Sequence, residues 1–188
     1  MAIKRMVIDG YGQVELNQVA FRRDGRIEAQ CALDPTDFAK VSAENGMLLA
    51  VDNTTRTIKF YKANSNLPIA LNYTTEHMYS DKHNALKDFK LDIADGFYPR
   101  LGYLSIGDKF TSNCLAYNDT EFTTEDALEQ AYDNINNVAL YGGVSETGAI
   151  LVSKTKPTAG PVLKAIKGPG AGSMPDGQFA IKFQVIDC

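Results

Sequence analysis

The feature that most constrains the fold is a regular apolar–polar alternation close to the C-terminus. The alternating apolar side chains there are Phe179, Ile181, Phe183 and Val185. Because successive side chains of a β-strand point to opposite faces, this period of two predicts a strand with one face in a core. Residues 161–167 are predicted to pair with it as a long hairpin. The glycine-rich connection, residues 168–177, is typical of a loop that is flexible or makes contacts.

Further short alternating segments predict more strands. Residues 27–33, with Val19 and Phe21 before them, predict a hairpin across the turn at residues 23–26. Residues 47–51 and 57–61 predict a second hairpin, and residues 69–73 a strand that follows Pro68.

Helical signals are few and short. The clearest predicts a helix over residues 124–132, with Thr123 or Thr124 as its cap and acidic residues in its first turn. Weaker patterns favour helices over residues 35–41, capped by Asp34, and over residues 81–89. The predicted fold class is therefore mainly β, a β-sandwich or partly open barrel with a few short helices.

Length and composition favour one ordinary globular domain. The 188 residues are 44% hydrophobic and 22% charged, which is close to the average for such proteins. We expect a single domain over residues 1–188, with residues 1–10 as an N-terminal arm and residues 72–99 as an irregular excursion or small subdomain.

Charge and cysteine usage exclude several partners and compartments. The net charge is −4 and the basic residues are scattered, whereas nucleic acid and anionic membranes require a concentrated basic surface. Cys31, Cys114 and Cys188 are far apart, and the first residues lack the apolar run of a signal peptide. These features predict free thiols in a reducing cytoplasm, with neither nucleic acid nor membrane as a direct partner.

The sequence contains no recognisable catalytic or cofactor motif. His77 and His83 are too few for a metal site of three or four ligands, and Cys114 has no histidine near it. The glycine-rich loop lacks the lysine and following helix that bind phosphate. We therefore predict no catalytic residue, no cofactor and no metal. The remaining enzymatic alternative is a hydrolase that uses carboxylates from Asp92, Asp95 and Asp108.

A group of aromatic residues allows two interpretations. Phe97, Tyr98, Tyr103 and Phe110 surround Arg100. They fit one face of a core hairpin. Alternatively, Tyr98 and Arg100 lie in a protein interface, where both residue types are favoured.

Three stretches together resemble the capsid decoration (cement) proteins of tailed bacteriophages. They are residues 11–21 leading into 24–30, residues 96–101 continuing to 106–113, and residues 174–185. The resemblance implies a virion protein made in the bacterial cytoplasm and placed on the outer capsid surface. It also implies the major capsid protein as a partner and self-association, often as a trimer. A tail-tube or head–tail connector subunit is the alternative of similar style.

Within that hypothesis, two further regions are candidate contacts. The N-terminal arm offers Ile3, Met6 and Ile8 for strand addition to a neighbour's sheet edge. The glycine-rich loop offers Pro169 and Met174. The alternatives are an ordinary edge strand and a flexible hairpin tip.

Overall fold

Two β-sheets form the framework of the protein in a computed structural model, which describes residues 2–23, 31–63, 65–74, 87–168 and 172–188. The strands in chain order are β1 (Ile3–Arg5), β2 (Val14–Gln18), β3 (Ala32–Leu33), β4 (Leu48–Asp52), β5 (Thr57–Lys59), β6 (Ile69–Asn72), β7 (Leu101–Gly102), β8 (Lys109–Ser112), β9 (Leu115–Asn118), β10 (Tyr141–Gly143), β11 (Ile150–Ser153), β12 (Val162–Ala165), β13 (Gly172–Ser173) and β14 (Phe179–Asp187). The helices are α1 (Ala20–Arg23) and α2 (Glu125–Asp133), with a 3-10 turn at Ile93–Asp95.

The larger sheet follows the order β1-β9-β11-β10-β12-β14-β8-β2, with β13 pairing on β14. The smaller sheet follows the order β3-β5-β4-β6-β7. The prediction of a mainly β fold is confirmed. Neither helix in the described ranges has the length and apolar character needed to cross a membrane.

The C-terminal hairpin forms as predicted. Strands β12 and β14 are antiparallel, with Ala165 opposite Phe183 and Leu163 opposite Val185. Phe183 and Val185 are at most 1% exposed, because β14 lies in the middle of the larger sheet between β12 and β8. In the described end of the glycine-rich connection, residues 172–177, β13 pairs back on β14 and Met174 N donates to the carbonyl of Gln178.

The hairpin predicted in the smaller sheet is also confirmed. Strands β4 and β5 pair antiparallel with Val51 opposite Ile58, and β6 pairs with β4 on its other side. The turn is fixed because Asp52 Oδ1 accepts hydrogen bonds from the backbone amides of Thr54 and Thr55.

The helix predictions had mixed outcomes. Helix α2 is confirmed, with Thr124 Oγ1 accepting from Ala127 N at 3.2 Å as the cap. The helix predicted over residues 35–41 is wrong, although Asp34 does cap the turn there. Only one helical hydrogen bond follows, and the Asp37 carboxylate instead accepts from Phe60 N, which directs the segment towards β5. Of the helix predicted over residues 81–89, residues 81–86 lie outside the described part.

The predicted hairpin containing Val19 and Phe21 is wrong. Strand β2 ends at Gln18 and pairs with β8, and β3 pairs parallel with β5. Phe21 lies in α1, whose first amide, Ala20 N, donates to Asp108 Oδ1 at 2.8 Å. Val19 and Phe21 are both 3% exposed, so their apolar spacing reflects burial without strand pairing. The rest of the predicted partner strand, residues 27–30, is not described.

Both sheets contribute residues to each of two hydrophobic clusters. The hydrophobic cluster under the larger sheet includes Leu48 and Leu71 from the smaller sheet. The cluster under the smaller sheet includes Cys114 and Ala149 from the larger sheet or its loops. Because β6 and β7 pair directly, residues 73–100 are the connection between two adjacent strands.

Candidate interaction surface

The last part of the β6–β7 connection is anchored at both ends. At one end, Ala43 and Leu91 exchange two backbone hydrogen bonds of 2.9 Å. At the other end, Arg100 N donates to Thr74 Oγ1 and the Arg100 carbonyl accepts from Tyr73 N, both at 3.0 Å. The chain between these two anchors is therefore held at both ends, at the second one beside β6 and β7 of the smaller sheet.

Between the anchors the chain makes a tight turn. Asp92 N donates to Asp95 Oδ2 at 2.7 Å across the 3-10 turn Ile93–Asp95. Gly96 ends the turn with φ 68°, a left-handed conformation that glycine adopts without a Cβ clash. The turn leaves three large apolar side chains in solvent: Ile93 is 40% exposed, Phe97 71% and Tyr98 59%.

We call Ile93, Phe97 and Tyr98 the aromatic patch. A shallow depression of about 160 Å³ separates it from Ala32 and Leu33 of β3. Contiguous exposed apolar side chains mark sites of protein contact, and tyrosine and phenylalanine are enriched at the centre of such interfaces. The arrangement is suited to binding another protein surface.

The structure divides the aromatic group that the sequence had placed together. Phe110 is fully buried and Tyr103 packs against the core, so the core interpretation is correct for these two residues. It is wrong for Phe97 and Tyr98. The sequence did carry a signal for this, because the pair Asp95-Gly96 directly before them is typical of an exposed turn. Arg100 is half-buried, so Tyr98 is the more exposed member of the predicted interface pair.

The other predicted contact residues are scattered over the fold. Ile3 is 43% exposed on β1, where it lies opposite Asn118 of β9, and Ile8 is half-buried. Met6 and Met174 are only 4% and 3% exposed, because both contribute to the interior of the monomer. The prediction that Met6 and Met174 are surface contacts is therefore wrong, because both side chains are buried. Pro169 lies outside the described residues.

The thiols differ in accessibility. Cys31 and Cys114 are buried, whereas Cys188 is exposed. Burial raises the pKa of the Cys114 thiol to about 12, which leaves it protonated and unreactive near neutral pH.

The three carboxylates considered for hydrolysis stabilise loops. The two oxygens of Asp108 accept from Ala20 N and Ser105 N, both at 2.8 Å, and so hold the start of α1. Lys90, 2.7 Å from Asp92, lowers the pKa of that carboxyl together with Ser42. No group of three or more metal-ligating side chains occurs in the ranges the structure covers, which do not include either histidine.

Comparisons with known proteins do not extend this picture. No family model, curated protein or solved structure matches the chain.

Proposed function

We propose that the protein is a structural virion protein that decorates and stabilises a capsid by binding the major capsid protein on its outer surface. The observation that carries the proposal is the aromatic patch, which is anchored on both sides by backbone hydrogen bonds. Exposed rings on a fixed support lose little conformational entropy on binding, so most of their buried area contributes to affinity. The resemblance of the three sequence stretches to cement proteins supplies the identity of the partner.

The available surface is sufficient for this role. The monomer exposes 9628 Å², and a standard interface uses about 800 Å² of each partner. One contact with the capsid and a second with another copy, as in a trimer, would use a minor part of it. Copies repeated over a shell rebind at high effective concentration, so contacts of modest strength give tight retention.

The test is addition of purified protein to expanded capsids that lack decoration. We expect co-sedimentation at micromolar protein and a higher melting temperature of the capsid, with unexpanded procapsids as the control. Absence of binding to expanded capsids at micromolar concentration would contradict the proposal. Rings or tubes of the isolated protein in electron micrographs would instead indicate a tail-tube or connector subunit.

A further inference from the structure

A second depression, of about 240 Å³, lies between the N-terminal segment and helix α2. Val7, Ile8 and Phe179 supply its apolar lining, and Val7 is 80% exposed. Asp9, Glu125 and Glu129 supply carboxylates. We call this depression the acidic groove.

Direct hydrogen bonds fix the walls of the acidic groove. Val7 N donates to Glu125 Oε1 at 2.8 Å, which ties the N-terminal segment to the first turn of α2. Asp9 N donates to Gln178 Oε1 at 2.8 Å, and Gln178 Nε2 donates back to the Asp9 carbonyl at 3.0 Å. The groove is therefore formed before any partner binds.

The charge of the groove is strongly one-sided. Helix α2 has the sequence EDALEQAYD, with four acidic residues and no basic residue. Glu129 lies four residues from both Glu125 and Asp133, and like charges at this spacing destabilise a helix. Partial burial and the neighbouring carboxylates raise the pKa of Glu129. Asp9 pairs with Lys87, but no Lys or Arg of the described chain forms an ion pair with Glu125 or Glu129.

We propose that the acidic groove binds an extended basic segment of a partner protein. A lysine or arginine of that segment contacts Glu125 and Glu129, and an adjacent apolar side chain packs on Val7 and Phe179. Charge complementarity identifies the occupant, because these two glutamates have no ion-pair partner in the described chain and lie beside an exposed apolar residue. A bound metal ion fits less well, since no cluster of three or more ligands exists in the part of the chain that is described.

The identity of the partner rests on the proposed function. If the protein decorates a capsid, the basic segment belongs to the major capsid protein. The acidic groove and the aromatic patch share no residue and lie on different elements. They would then give one molecule two distinct contacts with the shell.

The binding test uses a fluorescein-labelled peptide of alternating lysine and valine, measured by fluorescence anisotropy. We expect Glu129→Gln to weaken binding by up to about fivefold, which corresponds to the upper end of the range for a partly exposed ion pair. The matched control is Glu146→Gln, an exposed glutamate in the loop between β10 and β11, which should leave affinity unchanged. Val7→Ser should also weaken binding. Equal affinity of the two glutamine variants, or equal binding of a peptide with glutamate in place of lysine, would overturn the inference.

Capsid binding measured in parallel separates this inference from the proposed function. Loss of both peptide and capsid affinity in Glu129→Gln supports the groove as the capsid contact. Unchanged capsid binding by that variant overturns the groove as a capsid contact and leaves the decoration function standing. Peptide binding that depends on Glu129, in a protein that does not bind capsids, supports the groove and contradicts decoration.

Discussion

Arg5 and Glu44 form an ion pair that joins the two sheets, with Arg5 Nη2 2.6 Å from Glu44 Oε2. Arg5 belongs to β1 at the edge of the larger sheet, and Glu44 precedes β4 of the smaller sheet. The same carboxylate oxygen accepts from Gly12 N, also at 2.6 Å. Since the side chains are only 30% and 13% exposed, water screens this pair less than a surface pair. The Glu44 carboxylate thus links β1 to the smaller sheet, in addition to the pairing of β1 with β9 in the larger sheet.

Replacing that carboxylate should loosen the N-terminal strand. We expect Glu44→Gln to lower the free energy of unfolding by about 1 to 3 kcal/mol, because the Arg5 charge stays partly buried without a counter-ion. Urea unfolding measures the change. Glu146→Gln, on an exposed loop, is the control and should change stability by less than about 0.5 kcal/mol. Similar stability of the two variants would show that the ion pair does not hold β1.

Two glycines with the same backbone conformation should differ in their tolerance of alanine. Gly46 and Gly177 have φ of 83° and 87°, so an alanine would be strained at both positions. The strain alone should lower the free energy of unfolding by about 1 kcal/mol or slightly more at each position. At Gly177 an added Cβ would meet nothing within 4 Å, whereas at Gly46 it would lie 2.2 Å from Ser112 Oγ. We expect Gly46→Ala to be more destabilising than Gly177→Ala by at least about 1 to 3 kcal/mol, the cost of overpacking. If urea unfolding showed the same loss of unfolding free energy for both variants, the close packing around Gly46 would be contradicted.

The sequence predicted well those strands that pair with a neighbour in the chain or that bury only one of their two faces. The alternation around Phe183 and the hairpin of β4 with β5 depend on neighbours in the chain and on the period of two. The pairing of β2 with β8 could not be predicted, because its partners Val14 and Ser112 are distant in sequence. Val19 and Phe21 have strand-like spacing, yet tertiary packing buries them in a loop and a short helix.

The candidate site was only partly predictable for a related reason. Exposure is decided by what covers a side chain. The pair Asp95-Gly96 indicates an exposed turn, but it does not show that the ring of Tyr98, two residues later, stays in solvent. Met6 and Met174 illustrate the opposite case, since nothing in their neighbours shows that the fold closes over them. The acidic groove depends on contacts between residues 6–9 and helix α2, far apart in the chain.

The hairpin of β4 with β5 should lose a stabilising contact in acid. The hydrogen bond from Lys59 Nζ to Asp52 Oδ2, 2.8 Å long, lowers the pKa of the Asp52 carboxyl, and Thr55 adds to the effect. Since the pKa is lower in the folded state, the stabilisation is complete above the unfolded value of about 4 and is lost as pH falls below it. We therefore expect the melting temperature of the wild type to exceed that of Asp52→Asn at neutral pH. This difference in melting temperature should become smaller below about pH 4.

A second substitution isolates the partner in this pH effect. In a Lys59→Met background, Asp52→Asn should change the melting temperature less at neutral pH than it does in wild type, because the charged donor is gone. A difference in melting temperature that depends on neither pH nor Lys59 would contradict the role assigned to the hydrogen bond between Lys59 and Asp52. Thermal melts over a series of buffers provide the measurement.

The cysteines should separate into reactive and protected groups. Cys188 is exposed, whereas Cys31 and Cys114 are buried. We expect a chromogenic disulfide reagent to label Cys188 in the native protein and all three thiols in denaturant. Partial burial, Asp108 and Asp187 raise the pKa of Cys188, so its reaction at about pH 8 should be slower than that of free cysteine. Cys188→Ser should remove the native reactivity, and rapid native labelling of that variant would show that the interior opens.

The aromatic patch should matter for binding and not for folding. Phe97 is 71% exposed and Tyr98 59%, so Phe97→Ser and Tyr98→Ser remove little buried area and should change the free energy of unfolding by less than about 0.5 kcal/mol. If the patch is the centre of the capsid contact, each variant should weaken binding to expanded capsids by about 1 to 2 kcal/mol, roughly fivefold to thirtyfold. Ile106→Ser is the matched control, because Ile106 is 70% exposed before β8 and lies outside the patch. Stable patch variants that bind capsids as tightly as this control would exclude the patch from the contact.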